Sequence, residues 1–243
     1  LQHGVTVVIV NWNTGPIIGD VVQAVRAFSP PGTRVLVVDN GSSDGSLEIL
    51  RGIEGIDILR LPANAGHGAA LDLAMCRVRT DVAVTLDSDA FPLQSGWLDP
   101  VLDPIRRSGA VVSGTRSSRD FVHPVFLALD VREFLALGLS FQIFLEPGVT
   151  GPTARWGENA WDTAELLTLA LPPERVAFLD VQPPTPDIVA KVPGGFVGEL
   201  VYHHGGMTLN SSGRGLADEA VQSWRSACRA LGVNTAMEAK GGQ

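Results

Sequence analysis

Val82-Ala83-Val84-Thr85-Leu86 runs directly into Asp87-Ser88-Asp89-Ala90. A short apolar run ended by polar residues predicts a buried strand over Val82 to Leu86. Side chains alternate along a strand, so carboxylates spaced i, i+2 at its end can project from one side of the backbone. Two such carboxylates repel unless a cation lies between or beside them. Oxygen donors of this kind suit Mg2+ or Mn2+, which keep waters and bind phosphates on the far side. Asp-Ser-Asp is also good chemistry for a solvated turn, so the triplet alone leaves both readings open.

The neighbouring strands weigh between them. Val5 to Val10 is a β-branched run of the kind that forms a buried parallel strand, broken by Asn11-Trp12-Asn13-Thr14-Gly15-Pro16. Ile17, Ile18, Val21, Val22, Val25 and Phe28 then recur at helical spacing. A second strand, Arg34 to Val38, ends in Asp39, and the polar loop Asn40 to Ser46 leads to a short helix from Leu47. A third strand is predicted over Ile56 to Leu61. The loop Pro62 to Gly68 then opens a helix through Val78, with Leu71, Met75 and Val78 inward. Strands alternating with helices predict a mostly parallel sheet with right-handed crossovers, and ligands collect beyond the carboxyl ends of such strands. Asn11, Asp39, Asn64, Asp87 and Asp89 all lie at those ends. That convergence favours a binding site.

The second half is less regular. It predicts a helix over Trp97 to Ile105, a strand around Ala110 to Ser113 and a loop from Gly114 to Asp120. A strand over Val122 to Leu129 and a helix over Arg132 to Gly138 follow. Pro147 to Gly157 is irregular, and Asp162 to Leu171 is predicted helical. Prolines make Gln182 to Pro193 an extended loop, and a last strand, Phe196 to Tyr202, runs into His203-His204-Gly205-Gly206. Adjacent strand residues face opposite ways, so at most one of His203 and His204 should reach a metal. A closing helix places Ala217, Val221, Trp224 and Cys228 on one face, with fraying expected beyond Val233.

The chain has 243 residues, 45% of them apolar, which suffices for a sizeable α/β core. A formal net charge of −8 argues against a nucleic-acid surface. Cys76 and Cys228 both fall in helical apolar patterns, which predicts buried thiols rather than a disulfide, and hence a reducing, cytoplasmic setting. Asp130, Arg132 and Glu133 interrupt the most apolar region, so membrane contact is at most peripheral.

No G-x-G-x-x-G follows the first strand, and Leu71 stands where Gly66-His67-Gly68 would need its third glycine. P-loop and G-x-S-x-G patterns are absent as well. Asp39 is placed either to accept hydrogen bonds from a ribose or base, or to cap a turn. Asp44, before Gly45 and a helix start, is best read as a cap, and His67 as a helix-start residue at the rim. Asp162-Thr163-Ala164-Glu165 fits a variant capping box, with a general base as the functional reading of Asp162.

Val5 to Asn13, Val35 to Ser46 (VLVVDNGSSDGS), Asn64 to Asp72 (NAGHGAALD) and Thr85 to Ala90, in that order, resemble family 2 glycosyltransferases. The second half is similar more loosely, through Phe126 to Phe141 and the closing His203-His204-Gly205-Gly206 turn. The resemblance implies the GT-A fold, a Rossmann-like, three-layer α/β architecture with a mostly parallel central sheet. Residues 1–233 would form one domain, 1–100 its nucleotide-binding half and 101–233 its acceptor side, with 234–243 as a tail. It implies an inverting transferase that takes a nucleotide-diphosphate sugar, UDP-linked by default, to an acceptor hydroxyl with Mn2+ or Mg2+ as cofactor. The acceptor, whether glycan, lipid-linked sugar, peptide or small molecule, is unspecified.

Asn11, Asn13, Asp39, Asn64, Gly66 and Asp87 would hold the nucleotide sugar, with Asp39 at the base and Asp87 at the ribose or sugar. Asp89, Asp87 and His203 would hold the metal, and Asp162 would be the base. Two departures stand out. Relatives commonly carry Glu-Asp where this chain has Trp161-Asp162, which keeps Glu158 as a rival base. Asp72 replaces a frequent Asn and receives no role. A sugar nucleotidyltransferase lacks its Gly-rich basic N-terminal loop here, a silent sugar-nucleotide-binding module has only the altered Glu-Asp pair in its favour, and a purely structural α/β protein would leave the strand-end carboxylates unexplained.

Overall fold

Alternation of apolar side chains gives the N-terminal strands two buried faces, and the helices between them cover both. The computed structural model describes residues 1–142, 161–182, 184–207 and 215–233. β1 (Gln2–Asn11), β2 (Arg34–Asp39), β3 (Asp57–Arg60) and β4 (Thr80–Asp87) are linked by α1 (Gly15–Phe28), α2 (Ser46–Arg51) and α3 (His67–Met75). β5 (Ala90–Pro92), α4 (Asp99–Ser108), β6 (Val112–Arg116), β7 (Val122–Asp130) and α5 (Val131–Ala136) follow. After these come α6 (Glu165–Leu169), β8 (Val176–Phe178), α7 (Pro186–Val189), β9 (Gly195–Val197), β10 (Val201–His203) and α8 (Asp218–Ala230).

The central sheet has seven strands in the order β3-β2-β1-β4-β7-β6-β8. β7 is antiparallel to β4 and β6, and the other neighbours are parallel. The cause is local: only a short turn, closed by the Ser117 N–H on the Phe121 carbonyl, separates β6 from β7. So short a connection permits a hairpin but not a crossover. On one face Val7, Ile9, Val37, Val84 and Leu86 pack with residues of α1, α4 and α8. On the other, Val8, Val38, Ala83, Leu127 and Leu129 pack with residues of α3, α5 and α6. Three layers result, as expected.

Register is what positions the site. Asn11 stands opposite Asp39, and Val10 opposite Asp87, so β2, β1 and β4 end side by side. A small second sheet, ordered β5-β10-β9, sits just past β4 and pairs His203 with Ala90.

Several elements differ from the expectation. The strand over Phe196 to Tyr202 is two strands, because Gly198 turns back with φ 53° and β9 pairs antiparallel with β10. Ala164, at φ 68°, delays α6 to Glu165, so Asp162 precedes the helix. Helix α3 ends at Met75, three residues short of Val78, and Cys76 is exposed beyond it while Cys228 is buried. No disulfide joins them. The Gly114 to Asp120 loop begins later, since β6 continues to Arg116, and Pro186 opens one helical turn inside the proline-rich loop. Strands β5 and β8 were not foreseen. Glu158, the irregular stretch from Pro147 to Gly157, and the tail lie outside the described residues. Among the described residues no helix is long and apolar enough to cross a membrane.

Asp44 serves both helix starts that flank its loop. One carboxylate oxygen accepts the Gly15 N–H of α1 at 2.8 Å, and the other accepts the Ser46 N–H of α2 at 3.0 Å as well as the Ser46 hydroxyl. Replacing a helix-terminal acceptor of this kind costs about 1–2 kcal/mol. Urea denaturation of Asp44→Ala should show that loss. An unchanged midpoint would mean that the loop is held without Asp44.

Candidate functional site

Strand β4 releases Asp87 at the sheet edge, and the chain turns through Ser88 and Asp89 into β5. Strand β10 returns alongside β5 and brings His203 against both carboxylates. Its Nε2 lies 3.5 Å from Asp87 Oδ2 and 3.3 Å from Asp89 Oδ1. Each of the three residues offers one ligand atom, and these atoms lie within 4.8 Å of one another. The second Asp89 oxygen accepts the Met207 N–H at 3.1 Å, and the Asp89 carbonyl accepts the His204 N–H at 2.9 Å. Asp87 Oδ1 is buried and has no hydrogen-bond partner among the described residues. His67 Nε2 approaches it only to 3.9 Å.

The electrostatics follow from this packing. Burial alone would raise the Asp89 pKa, but the hydrogen bond and charge of His203, together with the Met207 N–H, outweigh it and hold the carboxyl below 3.8. Burial alone would lower His203, yet Asp89 and then Asp87 hold the imidazolium above the usual 6.5. The two shifts agree in sense: each charge stabilises the other.

His204 faces away, as strand alternation requires. Its Nδ1 lies 2.7 Å from the Tyr202 hydroxyl, which donates to the Pro193 carbonyl, and its ring meets Trp224 edge-on at 5.8 Å. Burial holds its pKa down, against the pull of Asp89.

A cavity of about 240 Å³ opens beside the carboxylates, lined by Trp12, Asn40, Asn64, Gly66, His67 and the Asp87-Ser88-Asp89 triplet. A larger one, about 450 Å³, lies at the amino ends of the strands among Arg34, Asp57, Arg77 and Arg79, away from this chemistry.

The sequence-predicted residues divide between wall and footing. Asn64, Gly66, Asp87 and Asp89 line the cavity. Gly66 adopts φ 88° at the start of α3, a backbone setting that favours glycine. Asn64 Oδ1 accepts the Gly66 N–H and the Asn40 amide, which closes the turn. Asn11, Asn13 and Asp39 are buried beneath. Asn11 donates to Asp39 at 3.1 Å and to Ser42 at 3.1 Å, and accepts from Thr14 at 2.6 Å. Asn13, at φ 54°, accepts the Ser43 N–H. These three pin the β1 and β2 loops together.

Asp162 is half exposed on the turn before α6. Its N–H donates to Glu165 Oε2 at 2.8 Å, half of a capping box, and its own carboxylate accepts the Thr163 N–H. Buried Glu165 also takes the Arg119 guanidinium, which lies 4.0 Å from Asp162 Oδ2.

His123, at the head of β7, was passed over in the sequence. The only signal was a polar residue opening an otherwise apolar run. Its Nδ1 accepts the Val125 N–H at 3.2 Å. Burial holds its pKa below 6.5, opposed by the charges of Asp87 and Asp162, while His203 and His67 lower it further. It therefore lies within electrostatic reach of both carboxylates.

Two carboxylates and one imidazole form a donor set suited to a borderline-hard divalent ion, and the unpartnered buried oxygen of Asp87 fits a group that would occupy it. Solved structures share the architecture. The mannosyltransferase PcManGT from Pyrobaculum calidifontis, in complex with GDP-Man and Mn2+, is 18% identical, with a TM-score of 0.54 over 75% of this chain and 58% of that one. S. aureus TarS residues 1–349, in complex with UDP-GlcNAc, is 15% identical, with a TM-score of 0.55 over 74% of this chain and 56% of that one. The chain thus spans less than two thirds of either structure. No curated sequence matches it significantly. At these identities the likeness shows the fold, which is GT-A. The family model described as "Glycosyl transferase family 2" matches residues 6–143, the span that holds most of β1, all of β2 to β7 and both aspartates, and on that match the chain belongs to glycosyl transferase family 2.

Proposed function

We propose that this chain transfers a sugar from a nucleotide-diphosphate donor to an acceptor hydroxyl, with inversion, using a divalent metal held by Asp87, Asp89 and His203. The observation that carries the reading is the convergence of these three side chains beside a cavity at the carboxyl ends of the strands. The nucleotide would enter between Trp12, Asn64 and Gly66, above the Asn11–Asp39 footing. UDP is favoured from the family resemblance, and the complexes of the two neighbours make GDP the first comparison. Residues 1–233 are taken as one domain, with the acceptor approaching the half beyond residue 100. A cytoplasmic setting is part of the same proposal.

In a single displacement, the acceptor oxygen bonds to the anomeric carbon as the bond to the diphosphate oxygen breaks. Asp162 takes the acceptor proton as general base. Arg119 and Glu165 hold the turn that presents Asp162. When bound, Mn2+ or Mg2+ supplies Lewis-acid stabilisation of the charge on the departing nucleoside diphosphate.

Thermal melts with UDP, GDP and dTDP, each with Mn2+ and with chelator, test the reading. One diphosphate should stabilise the protein only when metal is present. Asp89→Ala should abolish that metal-dependent shift while leaving the ligand-free fold intact. Equal shifts with Mn2+ and with chelator would sink the metal assignment.

Asp162→Asn should retain donor binding and lower kcat by about 100- to 10,000-fold. Full activity in that variant would move the base elsewhere, with Glu158 next to be tested.

The His203 shift gives metal binding a pH dependence. Raised in the folded protein, this imidazolium stabilises the metal-free fold fully below pH 6.5, and the contribution is lost as pH rises through the folded pKa. The Asp89 contribution is present above pH 3.8 and is lost as pH falls through its lowered pKa. A metal must displace the His203 proton, so apparent Mn2+ affinity should weaken by up to about tenfold per pH unit below that pKa. Calorimetric titration at pH 8 and pH 6 in two buffers would count the released proton. Equal affinities without proton release would remove His203 from the ligand set.

A further inference from the structure

The geometry points to His123 as a specificity-determining residue that donates a hydrogen bond from Nε2 to a hydroxyl of the donor sugar. This rests on the glycosyltransferase reading of the same site. Leu86 pairs with Phe126, so the part of β7 before Phe126 runs past the end of β4, along the Asp87-Ser88-Asp89 segment. His123 is thereby carried to the rim of the site by the strand that neighbours the carboxylates.

Its tautomer follows from its one bond. Nδ1 accepts the Val125 N–H at 3.2 Å, which in a neutral imidazole leaves the proton on Nε2. Burial keeps the ring neutral, its pKa held below 6.5 despite Asp87 and Asp162. Nε2 has no hydrogen-bond partner among the described residues. On its other side the ring meets that of buried Phe121, whose centroid lies 6.0 Å away at an interplanar angle of 30°. Arg119 lies over the same Phe121 ring at 5.6 Å. A side chain oriented by one backbone hydrogen bond, with its other ring nitrogen a donor, therefore sits at the rim.

The kind of group it meets follows from position and charge. In a single displacement the sugar lies between the leaving diphosphate, on the Asp87 side, and the base, Asp162. On the strand beside β4, three residues before the Phe126 that pairs with Leu86, His123 flanks that space, and its ring feels the charges of both carboxylates. A neutral N–H brings no counter-charge to a diphosphate, the part of the donor that a metal on Asp87 and Asp89 would neutralise, and it matches the lone pair of an uncharged hydroxyl. The ligand is thus the glycosyl part of the donor, and the bare nucleoside diphosphate should not sense His123.

Binding of UDP, GDP, UDP-GlcNAc and GDP-Man with Mn2+ by isothermal calorimetry tests this on wild type, His123→Ala and His123→Gln. Take the nucleotide that wild type binds. His123→Ala should bind its bare diphosphate within about twofold of wild type, and its sugar-linked form about 3- to 10-fold more weakly, the worth of one neutral hydrogen bond. His123→Gln, whose amide nitrogen reaches close to the imidazole Nε2 position, should recover much of the loss. Equal weakening of both ligands would assign His123 a structural role, and no change in either would leave it none; both overturn the inference while the glycosyltransferase reading stands. Wild type that binds no diphosphate with Mn2+ would overturn the reading itself, and the inference with it.

Discussion

Repulsion between Asp87 and Asp89 is the constraint around which this molecule is arranged. Asp87 ends β4, the turn through Ser88 brings Asp89 beside it, and their partial burial limits the screening that water can give. His203 offsets that repulsion as an imidazolium between the two. That answer requires a second sheet. Strand β10 must pair with β5, and Gly198 must turn β9 back against β10, for an imidazole from far along the chain to arrive there. The packing of Tyr202 against Phe91, and of Phe91 against Trp224, anchors the small sheet to the main core. The C-terminal helix is thus joined to the carboxylates through aromatic contacts.

A second level of organisation lies in the buried polar layer under the cavity. Asn11, Asp39, Thr14 and Ser42 bond to one another within the footing. Buried polar groups are costly when unpaired and rigid when paired. The network fixes the separation of the β1 and β2 loops. Asn40 then carries the order outward to Asn64 and Ala65, and Gly41 packs so close to Ala63 that an added Cβ would lie 2.4 Å from its carbonyl carbon.

What the sequence made legible follows from which interactions are local. The parallel order of the first four strands, and the gathering of their carboxyl ends, could be read because period, crossover handedness and strand polarity act over short stretches. The antiparallel course of β7 was less visible, since it depends on the turn at Ser117 to Phe121 rather than on the apolar run. The split of Phe196 to Tyr202 turned on one backbone angle at Gly198, and the shortened α6 on another at Ala164. His123 escaped because its neighbours in space are far apart in sequence. Asp72 escaped for the same reason: its carboxylate accepts the Ser140 hydroxyl, the Phe141 N–H and the Gln142 amide, which ties α3 to the chain beyond α5.

The division between footing and rim has an evolutionary consequence. Residues such as Asn11 and Asp39 are locked by mutual bonds, so a change at one breaks several contacts and is paid in stability. Trp12 and His67 border open space, and His123 has one donor unspent. Drift in ligand choice can therefore proceed at these rim positions one residue at a time, over a foundation that tolerates almost no experiment. A lineage built this way can diversify its chemistry of recognition without refolding.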